Sequence, residues 1–144
     1  MLIMNRNLKI FATLLPILAM GIFVAPGRAG RVEPTPVSCW FFRGDRVELK
    51  QTCIYESRSW AGGGVIFLRW EDGVQTKIAR GFQERGEKPC GDNNGIDGVC
   101  GVTYFRDSTT FKRLSEEESQ KLAINHQSRI GCVQVGDKSI CWLR

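Results

Sequence analysis

CVQVGDKSIC, Cys132 to Cys141, is the stretch that decides the fold class. Gly136-Asp137 lies at its centre, and Gly beside Asp between two strand-like runs is turn chemistry. A two-residue loop there pairs Val135 with Lys138, Gln134 with Ser139, Val133 with Ile140 and Cys132 with Cys141. The pair flanking the loop is hydrogen-bonded and the type alternates, so the two cysteines meet at a non-hydrogen-bonded site. Cα atoms approach to about 4.5 Å at such a site, within reach of a disulfide. The stretch reads as a β-hairpin closed by its own cystine.

The same grammar recurs upstream. In RVELKQTCIY, Val47, Leu49, Cys53 and Tyr55 share one face while Arg46, Glu48, Lys50 and Thr52 share the other. That period of two is the mark of a half-buried strand. SCWFFR before it is a second strand. Arg43-Gly44-Asp45, although it spells an adhesion tripeptide, is read as the turn between them. In Trp40-Phe41-Phe42 consecutive side chains point to opposite faces, so one set must be exposed or covered by a further layer. GVIFLRW and GVTYFRD are strands, and Asp72-Gly73 is the strongest hairpin signal in the chain. One helix is expected in RLSEEESQKLAIN. Ser115 and Glu118 have capping-box spacing, three glutamates stand at the positive end of the dipole, and Lys121 follows Glu117 by four. Leu114, Leu122 and Ile124 would face the sheet. The expected fold is mainly β: a small antiparallel sheet or partly closed barrel, disulfide-stapled, with one short helix.

The 144-residue chain opens like an export signal. Arg6 and Lys9 precede an apolar run from Ile10 to Ala25, and Gly27 and Ala29 offer small residues before a cleavage at Ala29-Gly30. The run is shorter than the ~20 residues of a spanning helix and contains Pro16, which disfavours a membrane anchor. With residues 1–29 as signal peptide, 30–37 reads as a flexible lead and 38–144 as a single domain. Arg6, Lys9 and Arg28 would leave with the signal, taking the net charge from +5 to +2. A charge that small and that evenly mixed gives no footprint for nucleic acid.

All six cysteines, Cys39, Cys53, Cys90, Cys100, Cys132 and Cys141, lie beyond the signal. An even number in an oxidising compartment points to disulfides. No C-x-x-C pair occurs and His126 is the single histidine, which argues against zinc and thiol-redox chemistry. Six cysteines allow 15 pairings. Local geometry favours three sequential bridges: 39–53 around the first hairpin, 90–100 around the Gly/Asn loop and 132–141.

Candidate sites are few. In CGDNNGIDGVC, Asp92, Asn94 and Asp97 offer oxygens for calcium. The spacing misses an EF-hand pattern, with Ile96 where a ligand is due, and Asp, Asn and Gly also serve tight turns. Trp60, beside three glycines and close to Arg58, is the best placed exposed ring. Trp40 with Arg43 would extend that surface, since aromatics beside arginines stack on sugars or anchor a protein. No catalytic residues are assigned. His126 has no Ser or Cys partner by motif, and a Glu48/Glu71 carboxylate pair is the kind any chain with this many acids offers.

CWFFRGDRVELKQTC followed by FLRWEDGVQTKI resembles a group of small exported cyanobacterial proteins of unassigned function, over Cys39 to about Arg80. The resemblance implies a periplasmic or extracellular place and no activity. A looser likeness links the chain to SH3-type barrels and periplasmic lysozyme inhibitors, without a motif that maps residue by residue. The expected function is a non-catalytic binding module at the cell envelope, recognising a protein or glycan. An inhibitor of an envelope hydrolase, inserting residues 91–99 into a cleft, and a small hydrolase are the alternatives. No cofactor other than calcium is foreseen, and neither a nucleic-acid partner nor a stable membrane span.

Overall fold

The computed structural model describes residues 29–83, 85–125 and 128–144. The signal-peptide reading of 1–29 therefore lies almost wholly outside the described residues, as does His126. Eight strands form a closed antiparallel barrel in which each strand pairs with its neighbours in sequence: β1 (Gly30–Arg43), β2 (Arg46–Trp60), β3 (Gly63–Arg69), β4 (Gln75–Gly81), β5 (Asn94–Ile96), β6 (Val99–Asp107), β7 (Arg129–Val135) and β8 (Lys138–Leu143). The helix α1 (Glu116–Ile124) lies between β6 and β7. Among the described residues no helix is long and apolar enough to cross a membrane.

Turn chemistry sets the register. Gly136 has φ 62° and Asp137 stays at negative φ, the signature of a type II′ turn with glycine first. The ladder is the one expected from Val135↔Lys138 to Cys132↔Cys141, and the two cysteine Cα atoms are 4.1 Å apart. The Arg43↔Arg46 hairpin turns in the same way on Gly44. Its Gly44 amide donates to the Asp137 carbonyl at 2.7 Å, so the two tips are tied together. Asp97-Gly98 has positive φ at both residues, a type I′ turn joining β5 to β6. All three local disulfides are formed: Cys39–Cys53, Cys90–Cys100 and Cys132–Cys141.

The sheet expected as open or partly closed is a fully closed barrel. The reason lies at the N-terminal end. Residues 30–37, expected as a flexible lead, are the first half of β1 and pair with β2 from Gly30↔Ser59 onward. The Glu33-Pro34 pair sits in a register shift between Val32 and Thr35, where the missing proline N–H costs no ladder bond. β1 then continues and pairs with β8 from Ser38↔Leu143 to Arg43↔Lys138, which seals the ring.

Cross-strand partners share a face, so the register divides inside from outside. The inner wall carries Val37, Cys39, Cys53, Tyr55, Leu68, Ile78 and Val133, a buried cluster drawn from most of the strands. A second cluster lies on the outside of the wall: Trp40, Phe42, Tyr104, Ile130, Cys132 and Cys141. The chain after β6 covers it. Asp107 accepts the amides of Thr109 and Thr110 at 2.8 and 2.7 Å, and Phe111 adopts φ 60°. An aromatic residue there is strained. The turn throws the Phe111 ring back onto Trp40 and Phe42, at centroid distances of 5.9 and 6.1 Å. This is the further layer that the opposed Trp-Phe-Phe triplet required.

The helix carries the expected capping box: Ser115 Oγ accepts the Glu118 amide while the Glu118 carboxylate accepts the Ser115 amide. Lys121 pairs with Glu117 at 2.7 Å. Its docking face differs from expectation. Ile124 is 75% exposed, and Ser119 is the buried residue. Arg129 donates to the Ser119 carbonyl and hydroxyl and stacks on Phe105, so the helix is held by a cation and an aromatic ring rather than by an apolar stripe.

Hydrogen bonds from Thr110 and Thr109, the largest causes, hold the Asp107 carboxyl below its ordinary range. The Ser115 amide does the same for Glu118. A carboxylate with a lowered folded pKa contributes stability that is complete above its unfolded value, near 4, and is lost as pH falls through the folded value. Thermal melts between pH 2 and 6 should therefore lose stability progressively below about pH 4. Asp107→Asn should shallow that acid limb; an unchanged limb would remove Asp107 as a contributor.

Candidate functional site

A surface concavity lined by aromatic and cationic side chains lies on the outer face of β3. It is a groove of about 420 Å³ lined by Arg58, Trp60, Val65, Phe67, Lys77, Gln83, Arg85 and Glu87. Its floor follows from strand alternation. In VIFLR, Ile66 and Leu68 point into the barrel, which leaves Val65 and Phe67 on the outer face. Phe67 and Lys77 are cross-strand partners, and so are Val65 and Arg58, so an aromatic ring, an aliphatic patch and two cations are set side by side by register alone.

Trp60 closes one end. It is half-buried, and its indole Nε1 donates to the Phe82 carbonyl at 2.7 Å. That bond fixes the ring and consumes its one polar group, which leaves the π face as the binding surface. The close approach depends on glycine: a Cβ at Gly63 would lie 1.8 Å from the Phe82 carbonyl oxygen and 2.6 Å from Trp60 Nε1. Arg58 lies over the Phe67 ring at 5.9 Å and is paired with Glu56 at 3.1 Å, so much of its charge is already answered. Lys77 and Arg85 have no ion pair with a described acid, and Glu87 is the one described acid on the lining.

The four residues expected to form one binding surface separate into two places. Trp60 and Arg58 meet in the groove. Trp40 is 3% exposed beneath Phe111, so it belongs to the outer core and not to a docking surface. Arg43 donates to Glu48 at 2.8 Å and to Asp137 at 3.2 Å, tying the two hairpin tips. Those acids raise its pKa, Glu48 first, and Arg43 with Arg46 holds the Glu48 carboxyl low. Glu48 is thus an ion-pair partner, while Glu71 sits on the exposed β3–β4 turn.

The calcium candidates each have a different setting. Asp92 is exposed and bound to Lys88 at 2.8 Å, which lowers its pKa. Asn94 is 8% exposed on β5 and faces the barrel lumen. Asp97 accepts the Lys77 amide at 2.8 Å and returns its own amide to the Lys77 carbonyl, continuing the sheet past the short β5. Asp97 therefore steadies the strand segment that presents Lys77 to the groove. Among the described residues no group of three or more His, Cys, Asp or Glu stands ready to hold a metal ion. The 91–99 segment is built as β5 and a tight turn rather than as a projecting loop.

Phe67, Lys77 and Arg85 were not singled out from the sequence. An outward Phe67 was implied by the alternation of VIFLR, but Arg85 comes from the irregular β4–β5 connection, where no periodicity applies. No family model, curated protein or solved structure matches this chain.

Proposed function

We propose that the protein is an exported, non-catalytic binding module of the cell envelope, and that the β3 groove holds a glycan strand bearing carboxylates. The observation that carries this reading is the groove itself: a fixed indole face and a phenyl ring flanked by Lys77 and Arg85. Sugar rings offer C–H faces to aromatics and carboxylates to cations, and an open groove admits a chain. Three disulfides fit an oxidising place outside the cytoplasm, and the apolar N-terminal run supplies the route of export.

The test is titration of the purified protein with soluble fragments of acidic envelope polysaccharide, read by tryptophan emission and calorimetry. Saturable binding is expected. Lys77→Ala with Arg85→Ala should weaken it about tenfold or more, since a charge-assisted hydrogen bond contributes about 1.5–3 kcal/mol. Neutral fragments should bind no better than the double variant binds acidic ones. Emission and heat unmoved across acidic and neutral fragments would overturn the reading.

A further inference from the structure

The barrel has a second concavity, at the end where the N-terminal part of β1 meets β8. The inner wall fills the lumen on one side with Leu68, Ile78 and Val133, yet toward this mouth the inward positions shrink to Ser57, Ser59, Gly64 and Gly131. Eight strands leave an interior that side chains just fill or that one small ligand can occupy. Here the small residues leave a cavity of about 430 Å³, within the range of small-molecule sites. Tyr55, Phe105 and Trp142 contribute aromatic wall, and no acidic side chain among the described residues lines it.

Four arginines line it: Arg31 and Arg58 are paired with Glu56, Arg144 lies over the Tyr55 ring, and Arg80 has a polar neighbour. Arg80 and Asn94 are direct cross-strand partners, so their side chains leave the sheet side by side on the luminal face. Arg80 has no ion pair with a described acid. Asn94, 8% exposed, presents its carboxamide to the same cavity. A carboxamide beside a guanidinium, under aromatic walls, offers convergent donors to an anionic head on an apolar body. We infer that the barrel mouth binds a small organic anion, a carboxylate or sulfonate on a ring-sized apolar body, with Arg80 and Asn94 on the anionic head. This site shares Arg58 and Val65 with the β3 groove, but Arg80 and Asn94 line it alone, and Lys77 and Arg85 line the groove alone.

The probes are 1-anilinonaphthalene-8-sulfonate and its uncharged analogue N-phenyl-1-naphthylamine. The sulfonate should bind saturably, one per chain, and about tenfold or more tighter than the neutral dye. Arg80→Gln should erase that preference by weakening the sulfonate alone. Gly131→Leu should plug the mouth and reduce both dyes by more than about tenfold. A Cβ at Gly131 meets Trp142 at 3.8 Å and Phe105 at 4.0 Å, ordinary contact distances, so the far-UV dichroism should be unchanged. Lys77→Ala with Arg85→Ala should leave dye binding intact, which separates this site from the groove. Equal affinity for the two dyes, or sulfonate binding unaffected by Arg80→Gln, would overturn the assignment whether or not the Gly131 variant folds.

Discussion

Arg106→Leu is expected to cost about 3 kcal/mol of stability, a fall in Tm of roughly 10–15 °C for a domain of this size. Arg106 is a 3% exposed cation on the outer face of the wall, and five contacts explain its place there. It donates to Tyr104 Oη at 3.0 Å, to Asp45 at 3.0 Å, and to the carbonyls of Phe111 and Gly44 at 2.9 Å each. Its guanidinium also lies over the Phe42 ring at 4.3 Å. The side chain thus joins the β1–β2 tip, the covering turn at Phe111 and the outer aromatic cluster. Leucine keeps the apolar stem but leaves two backbone carbonyls with no donor and releases the strained Phe111 turn. The exposed Asp45 returns to water at little cost, so the loss comes from the carbonyls and the cluster. Denaturant melts of the two proteins measure it. A shift under about 1 kcal/mol would mean that water replaces the guanidinium without penalty.

Gly63→Ala should damage both fold and groove. An added methyl at that position collides with the Phe82 backbone oxygen, which is not the movable end of a flexible side chain. The neighbouring Gly81 is equally confined, its Cβ position lying 2.1 Å from the Gly62 carbonyl oxygen. The β2–β3 tip and the end of β4 therefore cannot separate without losing both the Trp60–Phe82 hydrogen bond and the Gly63↔Gly81 pairing. A loss of about 2–4 kcal/mol is expected, of the size seen for overpacking and backbone strain. Trp60 emission should shift to the red as the ring gains water, and polysaccharide binding should fall with it. A melting curve and emission spectrum like those of the parent would show that the tip relaxes freely.

Local chemistry was legible in the sequence wherever a short range suffices. Gly136-Asp137, Gly44-Asp45 and the Ser115/Glu118 cap act over two to four residues, and each stands as read. The three cystines could be ranked because each closes its own short segment. What the sequence hid depends on three dimensions. Closure of the ring requires that β1 reach β8, and Val32 and Val37 straddle two prolines that look like a lead when taken alone. Trp40 looked available because its cover, Phe111, arrives from about seventy positions later through an unusual positive φ. Asp97 looked like a ligand because Asp-Gly serves turns and metal loops alike; only the sheet shows that its oxygen is spent on Lys77. Ile124 reads as a sheet-facing residue, yet it is exposed, and Arg129 fixes the helix through Ser119 instead.

Every cystine here spans little chain: sequence separations of 14, 10 and 9. None links the first strand to the last, so the seam between β1 and β8 is sealed by hydrogen bonds and packing alone. Correct oxidation then needs only a few consecutive residues to have emerged together, and scrambling among distant thiols is avoided before the seam exists. A single proteolytic cut in a connection outside the cystine loops, such as the β3–β4 turn, would leave two oxidised pieces with no covalent tether, which can part in denaturant and meet again when it is removed.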